Sequence, residues 1–367
     1  MDLPYWVYQD YFIFKPEFNG FIADYLEIII QYDKLIFSNY NDLEGTIEQI
    51  KNKYYYNNYF DSQFNKPLSN SLDSLTNLTH LTFGYSFNQP LDNSFDQLKN
   101  LTHLTFDRHF NQPLANSLDC LTNLTYLTFG FCFNKHLSNS LIQLRNLTHL
   151  TFGQQFNKPL TNSLDKLTNL KMIRFGVDFD QHLSNSLKQL INLKWLTFGD
   201  DFNKPLANSL KQLINLNQII FGENFNQPLE KSLDQLINLT HLTFDFWFNQ
   251  PLQESLYYLT KLEFLKLGHE FNQELYLPPN IKILALDSNN QNLIDSLPNS
   301  IEQLELDCDF NLPLDNLPNS IKKISFDKNL IYNYPLNNLP KSLELLELPS
   351  EYKLEIINLS HNCKIIR

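Results

Sequence analysis

The pair Phe-Asn returns every 23 residues, at Phe64, Phe87, Phe110, Phe133, Phe156, Phe179, Phe202, Phe225, Phe248 and Phe271, with Asp180 the one replacement of the Asn. Self-similarity at a fixed period of this size restricts the chain to a stacked array, in which each unit needs its neighbours to complete a core. Counting from each Phe, Leu falls at +4 throughout, at +11 from Leu75 to Leu259 and at +14 from Leu78 to Leu262, with Leu or Ile at +17 over the same coils and Phe at +19 until Leu267 takes that place. The last three columns read L-x-x-L-x-F. That alternation, with Thr between, predicts one short strand per unit. Ser at +7 (Ser71 to Ser255) with apolar residues at +8 and +11 predicts an N-cap and one helical turn on the return path.

A single unit cannot fold. Its six or seven large apolar side chains contribute ~1.5–3 kcal/mol each when buried. Ordering the backbone of 23 residues costs ~1–2 kcal/mol per residue. Stacking pairs the strands into a parallel sheet and turns the Leu and Phe columns into a continuous core. The residue after the +19 Phe is Gly or Asp (Gly84, Asp107, Gly130, Gly153, Gly176, Gly199, Gly222, Asp245, Gly268), which predicts a corner at positive φ. The +1 Asn residues, Asn65, Asn88, Asn111, Asn134, Asn157, Asn203, Asn226, Asn249 and Asn272, are expected to face inward and bond the loop backbone of adjacent coils.

The L-x-x-L-x-x-L-x-F spacing is similar to the leucine-rich repeat. F-N-x-P-L with N-S-L and L-T-F-G resembles the FNIP repeat, a leucine-rich-repeat relative found in social amoebae and amoebal giant viruses. The resemblance covers roughly residues 60–348 and implies an interaction scaffold with no shared enzymatic activity. One departure is that the position three after the last strand Leu, where the ordinary repeat carries its Asn, varies here (Ser86, His109, Cys132, Gln155, Asp178, Asp201, Asn224). The expected fold is an α/β solenoid: a curved, leucine-rich-repeat-like array of about 13 coils with one parallel sheet and short helical or irregular return turns.

Four segments follow. Residues 1–60 lack the repeat and read as an N-terminal cap, with a helix, or a helix running into a strand, over Phe21–Ile30, a strand at Leu35–Phe37 and an Asp-capped helix over Asp42–Lys53. Because related viral proteins carry an F-box there, Leu3, Pro4, Trp6, Val7, Phe12 and Ile13 are also weighed as a degenerate F-box, which would make the chain a ubiquitin-ligase adaptor. Residues 61–276 hold the 23-residue repeats. Over 277–348 the spacing shortens to 20–22, as L-P-x-S/N-I-x-x-L-x-L recurs from Leu277, Leu297, Leu317 and Leu339, with Pro replacing the helical turn. Residues 349–367 read as a C-terminal cap.

The net charge of −12 without a basic run argues against nucleic acid and anionic membranes. Gly-poor loops argue against a phosphate cradle, and with no apolar run near 18 residues and no N-terminal apolar h-region, neither a membrane span nor a signal peptide is expected. Cys120, Cys132, Cys308 and Cys363 have no metal spacing and fit a reducing compartment, so the expected setting is intracellular and cytoplasmic (host cytoplasm if the chain is viral). The Asn-Leu-Thr triplets at Asn77, Asn100, Asn123, Asn146 and Asn238 formally match glycosylation sites but read as by-products of the repeat that an intracellular chain would not use.

Function is expected on the outward strand positions. The +16 column holds His80, His103, Tyr126, His149, Met172, Trp195, Gln218, His241 and Phe264; the +18 column varies at Arg174, Ile220 and Lys266. Such a stripe suits a protein or peptide partner, centred on Met172 to Phe264. His80 and His103 are two neighbouring ligands without a third, and Asp178, Asp180, Asp200, Asp201 and Glu223 read as a solvated acidic edge rather than a Ca²⁺ site. No catalytic residues, metal or cofactor are expected, since Ser at +7 and His at +16 lie on opposite sides of a coil.

Overall fold

The computed structural model describes residues 3–51, 61–252, 254–288, 290–307 and 309–367, so Cys308 and the end of the expected Asp42–Lys53 helix lie outside the described residues. The chain divides into two compact units, Met1–Leu193 and Lys194–Arg367. Each is a leucine-rich-repeat-like parallel-sheet solenoid with little helix.

In the first unit, β1 (Tyr5–Tyr8) and β2 (Tyr11–Phe14) form an antiparallel hairpin that turns through Gln9 at φ 53°. From β2 onward every pairing is parallel: β3 (Lys34–Phe37), β4 (His80–Thr82), β5 (His103–Thr105), β6 (Tyr126–Thr128), β7 (His149–Thr151) and β8 (Met172–Arg174). A 3₁₀ turn at Ile22–Tyr25 runs into α1 (Leu26–Ile29). After β3 comes α2 (Leu43–Lys51), whose first turn is capped by Asp42 accepting from the Gly45 N–H. Lys34 sits opposite His80 in the ladder, so residues 11–37 already follow the sheet register of the repeats. These extra strands help explain why the molecule holds about 15 coils rather than about 13.

The second unit continues the pattern with β9 (Trp195–Thr197), β10 (Gln218–Ile220), β11 (His241–Thr243), β12 (Phe264–Leu267), β13 (Ile283–Leu286), β14 (Gln303–Leu306), β15 (Lys323–Phe326), β16 (Leu345–Glu347) and β17 (Lys364–Ile366), all parallel. The core is columnar. In the first unit the +0 rings stack from Phe64 to Phe179 with centroids 5.9–6.1 Å apart, and the +19 rings from Phe83 to Phe175 at 5.5–6.0 Å. Almost every Leu of the +4, +11 and +14 columns is fully buried.

The return path differs from the sequence reading. No helix follows the +7 Ser in the described 23-residue coils. The segment is a run of tight turns in which the Ser N–H bonds the +4 Leu carbonyl (Ser140 to Leu137, 2.8 Å), and the next turns close three residues apart (Leu144 to Leu141, Leu147 to Leu144). The serines from Ser94 to Ser255 are buried rather than capping; Ser232 and Ser255 donate their hydroxyls to the Ala207 and Glu230 carbonyls of the preceding coil. The helix of a return path is instead α3 (Gln291–Asp295), in a short coil, with the Asn290 side chain accepting from the Asn292 N–H.

Positive φ is also displaced. It falls at +5, on Ser69, Asp92, Ala115, Ser138, Thr161, Ser184, Ala207 and Glu230 (φ 41–48°), and on no glycine. The corner glycines are required by proximity. A Cβ on Gly153 would lie 1.6 Å from the Gly130 carbonyl oxygen, and one on Gly176 2.0 Å from that of Gly153. Successive corners pack backbone on backbone.

Polar ladders stitch coil to coil. Asn111 Oδ1 accepts the Asn134 N–H (3.0 Å), Asn134 Oδ1 the Asn157 N–H (3.0 Å), and Asn226 Oδ1 the Asn249 N–H (3.0 Å). The +1 Asn column is half-buried, and Asn65 and Asn272 at its ends are exposed, because the backbone it serves lies at the loop surface rather than inside. A second ladder uses the Asn of Asn-Leu-Thr: Asn100, Asn123, Asn146 and Asn238 donate to the carbonyls of Thr76, Lys99, Thr122 and Ile214, and Asn169 does the same to Arg145. These asparagines are structural parts of the coil.

Candidate interaction face

The three-residue strands fix which side chains look outward. The middle residue (+17) is buried, as at Leu81, Leu127 and Ile219, so +16 and +18 project from the sheet. With parallel in-register pairing, each +16 side chain lies beside its counterpart one coil away.

In the first unit this produces a stack of rings. His80 lies on His103 (4.0 Å, 9°), His103 on Tyr126 (4.3 Å, 11°), and Tyr126 on His149 (4.2 Å, 12°); all four are half-buried. The residue before each histidine holds its ring. Thr79 donates its hydroxyl to the Asp33 carbonyl, Thr102 to Thr79 and Thr148 to Thr125, each at 3.0 Å. That hydroxyl hydrogen is committed, so in the contact with the neighbouring Nδ1 (2.8–2.9 Å) the imidazole must be the donor. The histidines are therefore the Nδ1–H tautomer, with Nε2 as the acceptor nitrogen. Thr240 repeats the device on His241, which stacks on Phe264 at 5.5 Å. Burial, reinforced by the Lys34 charge, lowers the His80 pKa against the opposing pull of Asp33 and Asp10.

The remaining candidates occupy less ordered chemistry. Met172 is half-buried and Arg174 exposed in the first unit; Trp195 is 39% exposed in the second, where Gln218 and Ile220 are half-buried. Burial works against the charge of Lys266, but the hydrogen bond from its Nζ to Asp307 outweighs this and raises its pKa. The sequence reading missed the Thr column that pins the rings; Thr before His in four coils was its signal. It also missed a group in the second unit, His269, Asp287 and Asp309, whose residues come from coils of different length. Cys120, Cys132 and Cys363 are free thiols, and no helix among the described residues is long and apolar enough to cross a membrane.

Residues 271–309 match the FNIP Repeat family model. Among solved structures, the chain is similar to CroV588, a circular leucine-rich-repeat protein of a giant virus (TM-score 0.62, 26% identity). The match covers 99% of this chain and 61% of that one, so the chain spans less than two thirds of that relative. It also resembles Toll from Drosophila, solved in complex with Spatzle (TM-score 0.59, 16% identity, 95% of this chain and 47% of that one). A third neighbour is TLR13, solved in complex with ssRNA13 (TM-score 0.56, 18% identity, 82% of this chain and 47% of that one). No curated protein matches the chain. The phased Phe-Asn signature, the matched segment and the coil geometry identify a chain that carries the FNIP repeat within a leucine-rich-repeat-like solenoid.

Proposed function

We propose that the chain is a non-enzymatic, intracellular scaffold that binds a protein or peptide partner on its parallel-sheet face. The observation that carries this reading is the ring stack His80–His103–Tyr126–His149. Its three histidines are held in one orientation by threonine hydrogen bonds and Tyr126 is stacked between two of them, so little conformational freedom remains to be lost on binding. Half-exposed rings held rigid are the surface chemistry of protein recognition. The Toll–Spatzle complex is a precedent for the fold class. RNA, the ligand of TLR13, fits this chain poorly. Its net charge is −12, and the face lysines Lys34, Lys266 and Lys323 are paired with Asp10, Asp307 and Glu347. The buried +7 serines, two of them bonded to carbonyls, offer no nucleophile to the face, which supports a binding rather than a catalytic role.

Exposed Leu3 (57%), Val7 (40%) and Phe21 (58%) favour a second reading, in which this end of the first unit docks a ubiquitin-ligase adaptor. Deleting residues 1–40 would remove three sheet strands, β1 to β3, so point changes separate the readings better. Affinity purification with mass spectrometry would compare the full chain with Tyr126→Ala, Trp195→Ala, a Leu3→Ser/Phe21→Ser variant and, as a control off the face, Tyr257→Ala, whose ring is 74% exposed on a return path. A partner kept by Tyr257→Ala and lost by Tyr126→Ala or Trp195→Ala is expected. Ligase components lost only from Leu3→Ser/Phe21→Ser would favour the adaptor. Equal recovery by all four variants would sink both readings.

A further inference from the structure

His269, Asp287 and Asp309 follow the strands of three successive coils in the second unit and meet at one corner. One imidazole nitrogen and one oxygen from each carboxylate all lie within 4.8 Å of one another. Two observations separate this group from an ordinary acidic edge. Nδ1 of His269 is enclosed by protein and has no hydrogen-bond partner among the described residues, an arrangement a folded chain normally avoids. Asp287 is only 7% exposed, and the Asp309 N–H holds its Oδ1 at 2.9 Å. Phe246 stacks on the His269 ring (5.0 Å, 13°) and fixes its plane. The lysine close by is engaged elsewhere, since Lys266 Nζ bonds Asp307. Burial raises the Asp287 pKa; the hydrogen bond from Asp309 opposes this, while the charges of Asp307 and Asp309 add to it. A cation among these donors would favour the ionised carboxylate.

We propose that His269, Asp287 and Asp309 bind one divalent transition-metal ion. Two carboxylates and a neutral imidazole carry a summed charge of −2, which one such ion balances. The imidazole argues for a zinc-like ion over Ca²⁺, which takes six to eight oxygens. Bound there, the ion ties three coils together where 23-residue coils give way to short ones, and so stabilises the folded chain by mass action.

The test is isothermal titration calorimetry of the full chain, first stripped with chelator, against ZnCl₂. The result expected is one ion per chain and a raised unfolding midpoint. His269→Gln and Asp309→Asn should each weaken binding at least about ten-fold, while His80→Gln, at the stacked histidine pair, leaves it unchanged. Asp309 is exposed, so its variant removes a ligand without disturbing the core. Failure to bind Zn²⁺ at about 100 μM, binding that survives both ligand variants, loss through His80→Gln alone, or preference for Ca²⁺ would each overturn the assignment.

Discussion

The 23-residue coils and the shorter coils over 277–348 run the same strand through two different return paths. In the long coils a left-handed residue at +5 starts a series of tight turns, and a glycine corner lets successive backbones touch. In the short coils, Pro opens the turn into the strand (Ile281 N–H to Pro278, Ile301 N–H to Pro298, Ile321 N–H to Pro318), and Asp287, Asp307 and Asp327 stand at the corner. No described residue of 277–348 has positive φ. The sheet face changes as well, from stacked rings to ion pairs such as Lys323–Glu347 (3.1 Å) with Ser325 donating to the same carboxylate (2.6 Å). The strand is the constant of the fold. The return path sets how closely neighbouring corners approach, and the outward columns are free to change chemistry.

The largest contrast lies at the corner. Gly153→Ala would put a Cβ 1.6 Å from a backbone oxygen that cannot move without shifting a whole coil. We expect a loss of about 3 kcal/mol in chemical denaturation, at the upper end of overpacking costs. Asp327→Ala, in a short coil, removes one hydrogen bond to the Asn329 N–H (2.8 Å) and should cost about 1 kcal/mol. Equal losses would mean that the two corners pack alike. The +5 column gives a smaller effect of opposite sign. Thr161 is exposed and β-branched at φ 47°, a conformation that costs about 1–2 kcal/mol for an L-residue. After the entropy that glycine restores to the unfolded chain, Thr161→Gly should stabilise by about 0.5–1 kcal/mol. In the equivalent place of a short coil, Asp315→Gly has no strain to relieve and loses the bond from Asn338, so it should destabilise. Two changes of the same sign would collapse the distinction.

These cases also mark what the sequence made legible. Columns of Leu and Phe specify strands and core because burial depends on side-chain type and period alone. The outward +16 and +18 columns follow from that phase. The glycine corner was legible as a position but not as a cause: Gly serves positive φ and close approach equally, and only the distance between coils separates the two. Positive φ at Thr161 or Ala115 carries no residue-type signal, because the repeat forces it on whichever side chain stands there. Ser at +7 looks like a helix cap in one copy; its burial comes from the stack. Asp287 and Asp309 are corner acids in sequence and become neighbours of His269 only through the stacking of unequal coils.

The smallest expected effect tests the ring stack against the ion-paired face. His80 has a lowered pKa in the folded chain, chiefly through burial and then through Lys34, with Asp33 and Asp10 opposing and His103 stacked on its other side. The unfolded chain then takes up its proton first as pH falls, so the folded state loses stability from the ordinary histidine range downward and levels off below the folded pKa. His80→Tyr, which keeps a ring in the column as Tyr126 does, removes this titration. Unfolding midpoints between pH 8 and 5 should fall less steeply in the variant, by a few tenths of a kcal/mol at the acid end. Glu347, in the ion-paired face, does not titrate over that span, because the hydrogen bond from Ser325 and then the Lys323 charge hold its carboxyl below the usual carboxylate range. A Glu347→Gln variant should therefore track the wild type across the same range. If the two variants flatten the profile equally, the histidine stack is not the acid-sensitive part of the face.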